Sequence, residues 1–84
     1  MELMEQFEAA VAQSKLLTTK PDNETLLKLY SLYKQSTEGD APADGPTNPF
    51  DFVAKAKHAA WADLAGKTKT EAMNAYVATI QLLK

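Results

Sequence analysis

The chain has 84 residues, 45% of them apolar, a net charge of −2 and no cysteine. That length gives one domain, 1–84, too small for the deep cleft of a two-lobed enzyme, because it buries only about 60% of its unfolded surface. Without cysteine there is neither a disulfide frame nor a thiolate metal site. The acidic balance argues against a nucleic-acid partner, and because every cation is a lysine, the bidentate arginine reading of guanine or paired phosphate oxygens is missing too. No apolar run approaches the roughly 20 residues that cross a bilayer, and no signal-peptide pattern opens the chain. A cytoplasmic location is therefore expected.

Four helices are predicted, and no strand. The first covers Leu3 to Leu17, with apolar or small residues at Leu3, Phe7, Ala10, Val11, Ser14 and Leu17 in helical period. Thr18-Thr19-Lys20-Pro21 breaks it. Pro21 suits a first turn, and Asp22 and Glu24 suit the positive end of a helix dipole, so a second helix begins there. It runs through Leu26, Leu29, Tyr30 and Tyr33 to about Thr37 and stops at Gly39. Residues Asp40 to Thr47, with two prolines and Gly45, form a long loop. Asn48, ahead of Pro49 and Asp51, is the expected cap of a third helix that continues to Leu64 and stops at Gly66. Thr68 and Glu71 have capping-box spacing for a fourth, whose stripe is Ala72, Met73, Tyr76, Ile80 and Leu83.

The second helix holds the densest set of candidates. Residues three and four apart share a helix face, so Tyr30, Tyr33 and Lys34 form one patch, with Leu27 on the same flank as Tyr30 and Lys34. Two aromatic faces beside an ammonium suit a ligand that carries both a base and a phosphate, although tyrosines that bury their rings would give the same pattern. In the third helix Lys57 interrupts an apolar line one turn before Trp61. It either snorkels at the helix edge or aims at an anion; Trp61 itself is expected to pack. Tyr76 is expected in the core, with a hydroxyl facing a groove as the alternative. Lys15, near the end of the first helix, favours the dipole there. The stretch from Asp40 to Asp51 imitates a calcium loop loosely, but Pro42 stands at a ligand position and the final bidentate glutamate is absent. His58, the sole histidine, has no partner for a zinc site or a nucleophile pair and is expected on a helix flank.

Taken together, these residues resemble the acyl-CoA-binding protein family over nearly the whole chain. The matching pieces are Thr19-Lys20-Pro21, Leu29 to Thr37 with Gly39-Asp40, Asp51-Phe52, Lys55-Ala56-Lys57, Trp61, Leu64, Gly66, Ala72-Met73 and Ala75-Tyr76. The resemblance implies an up-down-down-up four-helix bundle that binds acyl-CoA esters without reacting with them. It also implies roles: Tyr30, Lys34 and Lys57 on the ribose 3′-phosphate, Tyr33 stacked on the adenine, Lys15 and Tyr76 completing the CoA contacts, and Leu27 covering part of the acyl chain. Two positions depart from the family pattern. Val53 stands where many members have lysine, and His58 replaces an aromatic residue.

The leading expectation is thus a monomeric carrier and buffer of medium- to long-chain acyl-CoA. It would need no cofactor and no metal, would perform no reaction, and would make transient contact with acyl-CoA-using enzymes or membranes. A helical protein-interaction module with a groove for an amphipathic helix is the alternative. A thioesterase comes third, since no nucleophile–base pair is evident.

Overall fold

The computed structural model describes residues 2–17, 20–45 and 48–83. Among them are four α-helices and no strand: α1 (Leu3–Ser14), α2 (Asn23–Glu38), α3 (Phe52–Ala62) and α4 (Lys69–Leu83). No helix in them is long and apolar enough to cross a membrane.

Local chemistry explains most of the boundaries. The Asp22 carboxylate accepts the Thr25 N–H at 2.8 Å and caps α2, which puts Pro21 just outside the helix rather than in its first turn. Gly39, at φ +82°, closes α2 as expected; an L side chain rarely adopts that backbone conformation. At α4 the capping box is reciprocal: the Glu71 N–H donates to the Thr68 hydroxyl and the Thr68 N–H to the Glu71 carboxylate, both at 3.0 Å.

Two boundaries differ from expectation. Helix α1 ends at Ser14 rather than Leu17, because Lys15 and Leu16 donate three residues back, to Ala12 and Gln13, and tighten the chain into a turn. The break expected at Thr18-Thr19 lies outside the described residues. Helix α3 is capped by Asp51, which accepts the Ala54 N–H at 3.0 Å, and not by Asn48. The Asn48 side chain instead accepts the Phe50 N–H and makes a turn around Pro49. That helix also stops at Ala62, leaving Leu64 in the turn that leads to Gly66.

Side-chain pairs give the helix directions. Phe7 of α1 stacks on Tyr33, late in α2, while Ser14 shares a hollow with Leu26, early in α2; α1 and α2 are antiparallel. Gln35, near the end of α2, donates to the Lys67 carbonyl just before α4, so α2 and α4 are antiparallel as well. Along α2 and α3, Tyr30 faces Lys57 and Lys34 faces Trp61, so this pair runs parallel. The order is up-down-down-up.

The core joins α1, α2 and α4. Phe7 and Ala10 meet Leu29 and Leu32, and Ala72, Met73, Tyr76 and Ile80 close it from α4. Each fully buried large side chain contributes about 1.5–3 kcal/mol. Helix α3 lies outside this cluster and packs only on α2 among the helices. Between α3 and α4 the chain is tied back by the Asp40 carboxylate, which accepts from the Gln35 amide at 2.8 Å and from the Gly66 N–H at 3.0 Å. Those two donors hold its carboxyl below the usual aspartate range, the Gln35 bond contributing most. The Gln35 side chain is fully buried; its amide nitrogen bonds both Asp40 and Lys67, while its amide oxygen has no hydrogen-bond partner among the described residues.

Candidate functional site

The candidate site is the seam between α2 and α3. Tyr30 and Lys34 lie one turn apart on α2, and Lys57 and Trp61 one turn apart on α3. Parallel packing sets these pairs against each other crosswise. The Lys57 ammonium lies 5.2 Å from the centroid of the Tyr30 ring, and the Lys34 ammonium lies 5.3 Å from that of Trp61. Each contact is of cation–π type and worth about 0.5–1 kcal/mol where water has access. Lysines from two helices are therefore held along one line.

Their surroundings differ. Lys34 is ion-paired with Glu38, one turn further along α2, and this bond raises its pKa above the ordinary lysine value. Lys57 is exposed and has no carboxylate partner among the described residues. The ring of Trp61 is buried, and its indole N–H donates to the Gly39 carbonyl at 2.8 Å. Trp61 packs, as expected, but the same side chain also forms the floor under Lys34.

Three adjoining hollows surround this seam. An apolar one of about 410 Å³ is walled by Leu26 and Leu27 of α2 and by Phe52, Val53, Ala56 and Lys57 of α3. A second, of about 250 Å³, lies toward α1 and is lined by Tyr30, Tyr33 and Tyr76 together with Ser14, Leu17 and Pro21. The third, of about 320 Å³, is bounded by Tyr30, Lys57, His58 and Trp61, with Asp44 and Gly45 from the loop. Tyr30 is common to the last two and Lys57 to the first and third, so these two residues stand where the hollows meet.

Most of the predicted residues thus come together. Leu27, Tyr30, Lys34 and Lys57 share the α2–α3 seam. Tyr33 stacks one face on Phe7 at a 6.0 Å centroid separation and remains 42% exposed. Tyr76 is buried, edge-on to Phe7 at 5.2 Å, and belongs to the core while lining the second hollow. Lys15 is exposed at the end of α1, beside that hollow, but does not line it as its neighbours Ser14 and Leu17 do.

Sequence reasoning missed part of the wall. Phe52 and Val53 are 73% and 65% exposed and form the rim of the apolar hollow. His58 is more than a flank residue: its Nε2 donates to the Pro42 carbonyl at 2.9 Å, which fixes the loop against α3. The available signal was the position of His58 directly after Lys57, but its partner lies in a loop without periodicity. Among the described residues no group of histidines and carboxylates is suited to a metal ion.

The fold and this seam define an all-α, four-helix domain with an open, lysine-bearing aromatic groove. The model of the acyl CoA binding protein family matches residues 4–80. An acyl-CoA-binding protein homolog of Caenorhabditis elegans is 47% identical over 77 residues, covering 92% of this chain and 88% of the worm protein. An acyl-CoA-binding protein of Dictyostelium discoideum is 44% identical over 80 residues, 95% of this chain and 94% of its own. A solved structure, that of Oryza sativa acyl-CoA-binding protein 2, superimposes with a TM-score of 0.88 at 36% identity, over 98% of this chain and 90% of the rice protein. The chain belongs to the acyl-CoA-binding protein family. The same domain occurs within a larger protein, since rat enoyl-CoA delta isomerase 2 is 47% identical over 77 residues that make up 19% of its length.

Proposed function

We propose that this protein binds medium- to long-chain acyl-CoA esters non-covalently and carries or buffers them inside the cell. The observation that supports this most is the crossed pair of lysine–aromatic contacts at the border of an apolar hollow. The relatives' names point to the same ligand.

In this reading Lys57, Lys34 and the Tyr30 hydroxyl take the 3′-phosphate as point-charge and hydroxyl donors, a geometry lysine supplies without arginine. Tyr33 has one face on Phe7 and the other open, so adenine stacks on the open side; base stacking is worth about 1–3 kcal/mol. Tyr76 contributes only through the edge it presents to the second hollow, and Lys15 reaches in on its flexible stem from the α1 end. The acyl chain lies along Leu27 in the apolar hollow. Full burial of a sixteen-carbon chain would contribute on the order of 12 kcal/mol at about 0.8 kcal/mol per methylene, and an open hollow delivers only part of that. The tail therefore supplies most of the affinity, and the lysines distinguish CoA esters from free fatty acids. Among the described residues no pair at the site offers a nucleophile and a base, and in this reading the protein binds and releases the thioester intact. It acts as a monomer without cofactor or metal, and passes its ligand on through transient contact with acyl-CoA-using enzymes or membranes.

Titration calorimetry with palmitoyl-CoA, CoA and palmitate tests this. The expected order of affinity is palmitoyl-CoA, then CoA, with palmitate negligible. Palmitate binding as tightly as palmitoyl-CoA would defeat the phosphate grip, and release of free thiol on incubation would make the protein a thioesterase.

A further inference from the structure

Among the described residues only one of the two seam lysines has an ion-pair partner. Glu38 is ion-paired with Lys34 and stays largely open to water, its side chain 53% exposed. Helix stability gives only a weak reason for an acid at this place. Glu38 is the last residue of α2, where the negative end of the helix dipole disfavours a carboxylate. Its order with Lys34, acid after base at four-residue spacing, is also the weaker orientation of such pairs. What Glu38 does is neutralise the one ammonium of the seam that lies over Trp61, while Lys57, over Tyr30, is ion-paired with no carboxylate among the described residues, Asp44 sharing its hollow without a salt bridge.

We propose that Glu38 is an affinity-setting residue: an internal anion that competes with the ligand's phosphate for Lys34 and so weakens binding and favours release. The inference rests on the reading of the seam as an acyl-CoA site. A phosphate that approaches Lys34 must displace the Glu38 carboxylate or share the ammonium with it. Two like charges about 4 Å apart in water repel by about 1 kcal/mol, which corresponds to about fivefold in affinity. Lys57, with no such competitor, makes the stronger of the two lysine contacts.

The test is the binding of palmitoyl-CoA to the wild-type protein, to Glu38→Gln, to Lys34→Ala and to the double variant Glu38→Gln/Lys34→Ala, at low ionic strength. Glu38→Gln should bind about three- to tenfold more tightly than wild type. That gain should disappear in the Lys34→Ala background, disappear with the 3′-dephospho analogue of the ester, and shrink in about 0.5 M salt. A merely structural role for Glu38 would move none of these contrasts. Unchanged or weaker binding by Glu38→Gln, or an equal gain without Lys34 or without the 3′-phosphate, overturns the inference and leaves the acyl-CoA reading standing. Failure of every one of these proteins to bind palmitoyl-CoA overturns that reading, and the role of Glu38 with it.

Discussion

Helix α2 meets its two neighbours in opposite ways. Toward α4 and α1 it presents Leu29 and Leu32, which close with Phe7, Tyr76 and Ile80 into a dry core. Toward α3 it presents Leu27, Tyr30 and Lys34, and the contact stays open, with lysines over rings and hollows between the helices. Helix α3 correspondingly buries only Trp61. One face of the helix holds the fold and the other is left free to hold something else. The buried core that stabilises this small domain is thus concentrated on the side of α2 away from the seam.

That division is broken or sharpened by paired substitutions. Ile80 is fully buried, so Ile80→Ala should cost about 2–5 kcal/mol of stability in urea unfolding, a large share of the roughly 5–15 kcal/mol that such a domain has. Palmitoyl-CoA binding of the fraction still folded should hardly change. Lys57→Ala should do the reverse: at least tenfold weaker binding, with stability lowered by no more than about 1 kcal/mol, the upper value of an exposed cation–π contact. If Lys57→Ala unfolds the protein, or Ile80→Ala abolishes binding at full folding, the two faces are not independent.

A smaller effect concerns acid. Asp40 and Glu71 both titrate below their ordinary values, Asp40 through the Gln35 amide and the Gly66 N–H, Glu71 through the Thr68 N–H and hydroxyl. A carboxyl depressed by folding adds stability above its unfolded pKa and loses it as pH falls through the lower, folded value. Melting temperature should therefore be level above about pH 5 and decline below about pH 4, the ordinary carboxylate range. Asp40→Asn should make that decline shallower. An unchanged slope would mean that the tie between Gln35, Asp40 and Gly66 carries no linkage.

The helices were legible wherever their ends are set by groups close in sequence. Gly39 and the Thr68–Glu71 box are local chemistry and stand as expected. Asn48 and Asp51 show the limit of such reading. Both are good caps, and the choice was made by the turn through Pro49 and Phe50, in which the Asn48 side chain is already engaged. Gln35 and Ser36 are polar residues near the end of α2, yet both are buried. The partners of the Gln35 amide nitrogen, Asp40 and the Lys67 carbonyl, lie in other segments.

The site was legible in its cations and rings because helical spacing puts Tyr30 with Lys34 and Lys57 with Trp61 on common faces. What spacing could not supply was the crosswise match, which depends on two helices running parallel. Nor could it show that Tyr33 keeps one face open while Tyr76 is enclosed; helical period treats the two rings alike. In the sequence Phe52, Val53 and His58 stand as a match to, or departures from, the family pattern, and their places as rim and loop anchor were not legible for a similar reason. Their roles come from what lies opposite them, Leu27 in one case and Pro42 in the other.

The central claim is that the ligand lies in the α2–α3 seam, and amide chemical-shift mapping during titration with palmitoyl-CoA tests it most directly. The expected result is large shifts along Leu27 to Lys34 and Phe52 to Trp61, with those of Ala9, Gln13 and Gln81, on the far side between α1 and α4, nearly still. Shifts concentrated on that far side, with Tyr30 and Lys57 unmoved, would contradict the account.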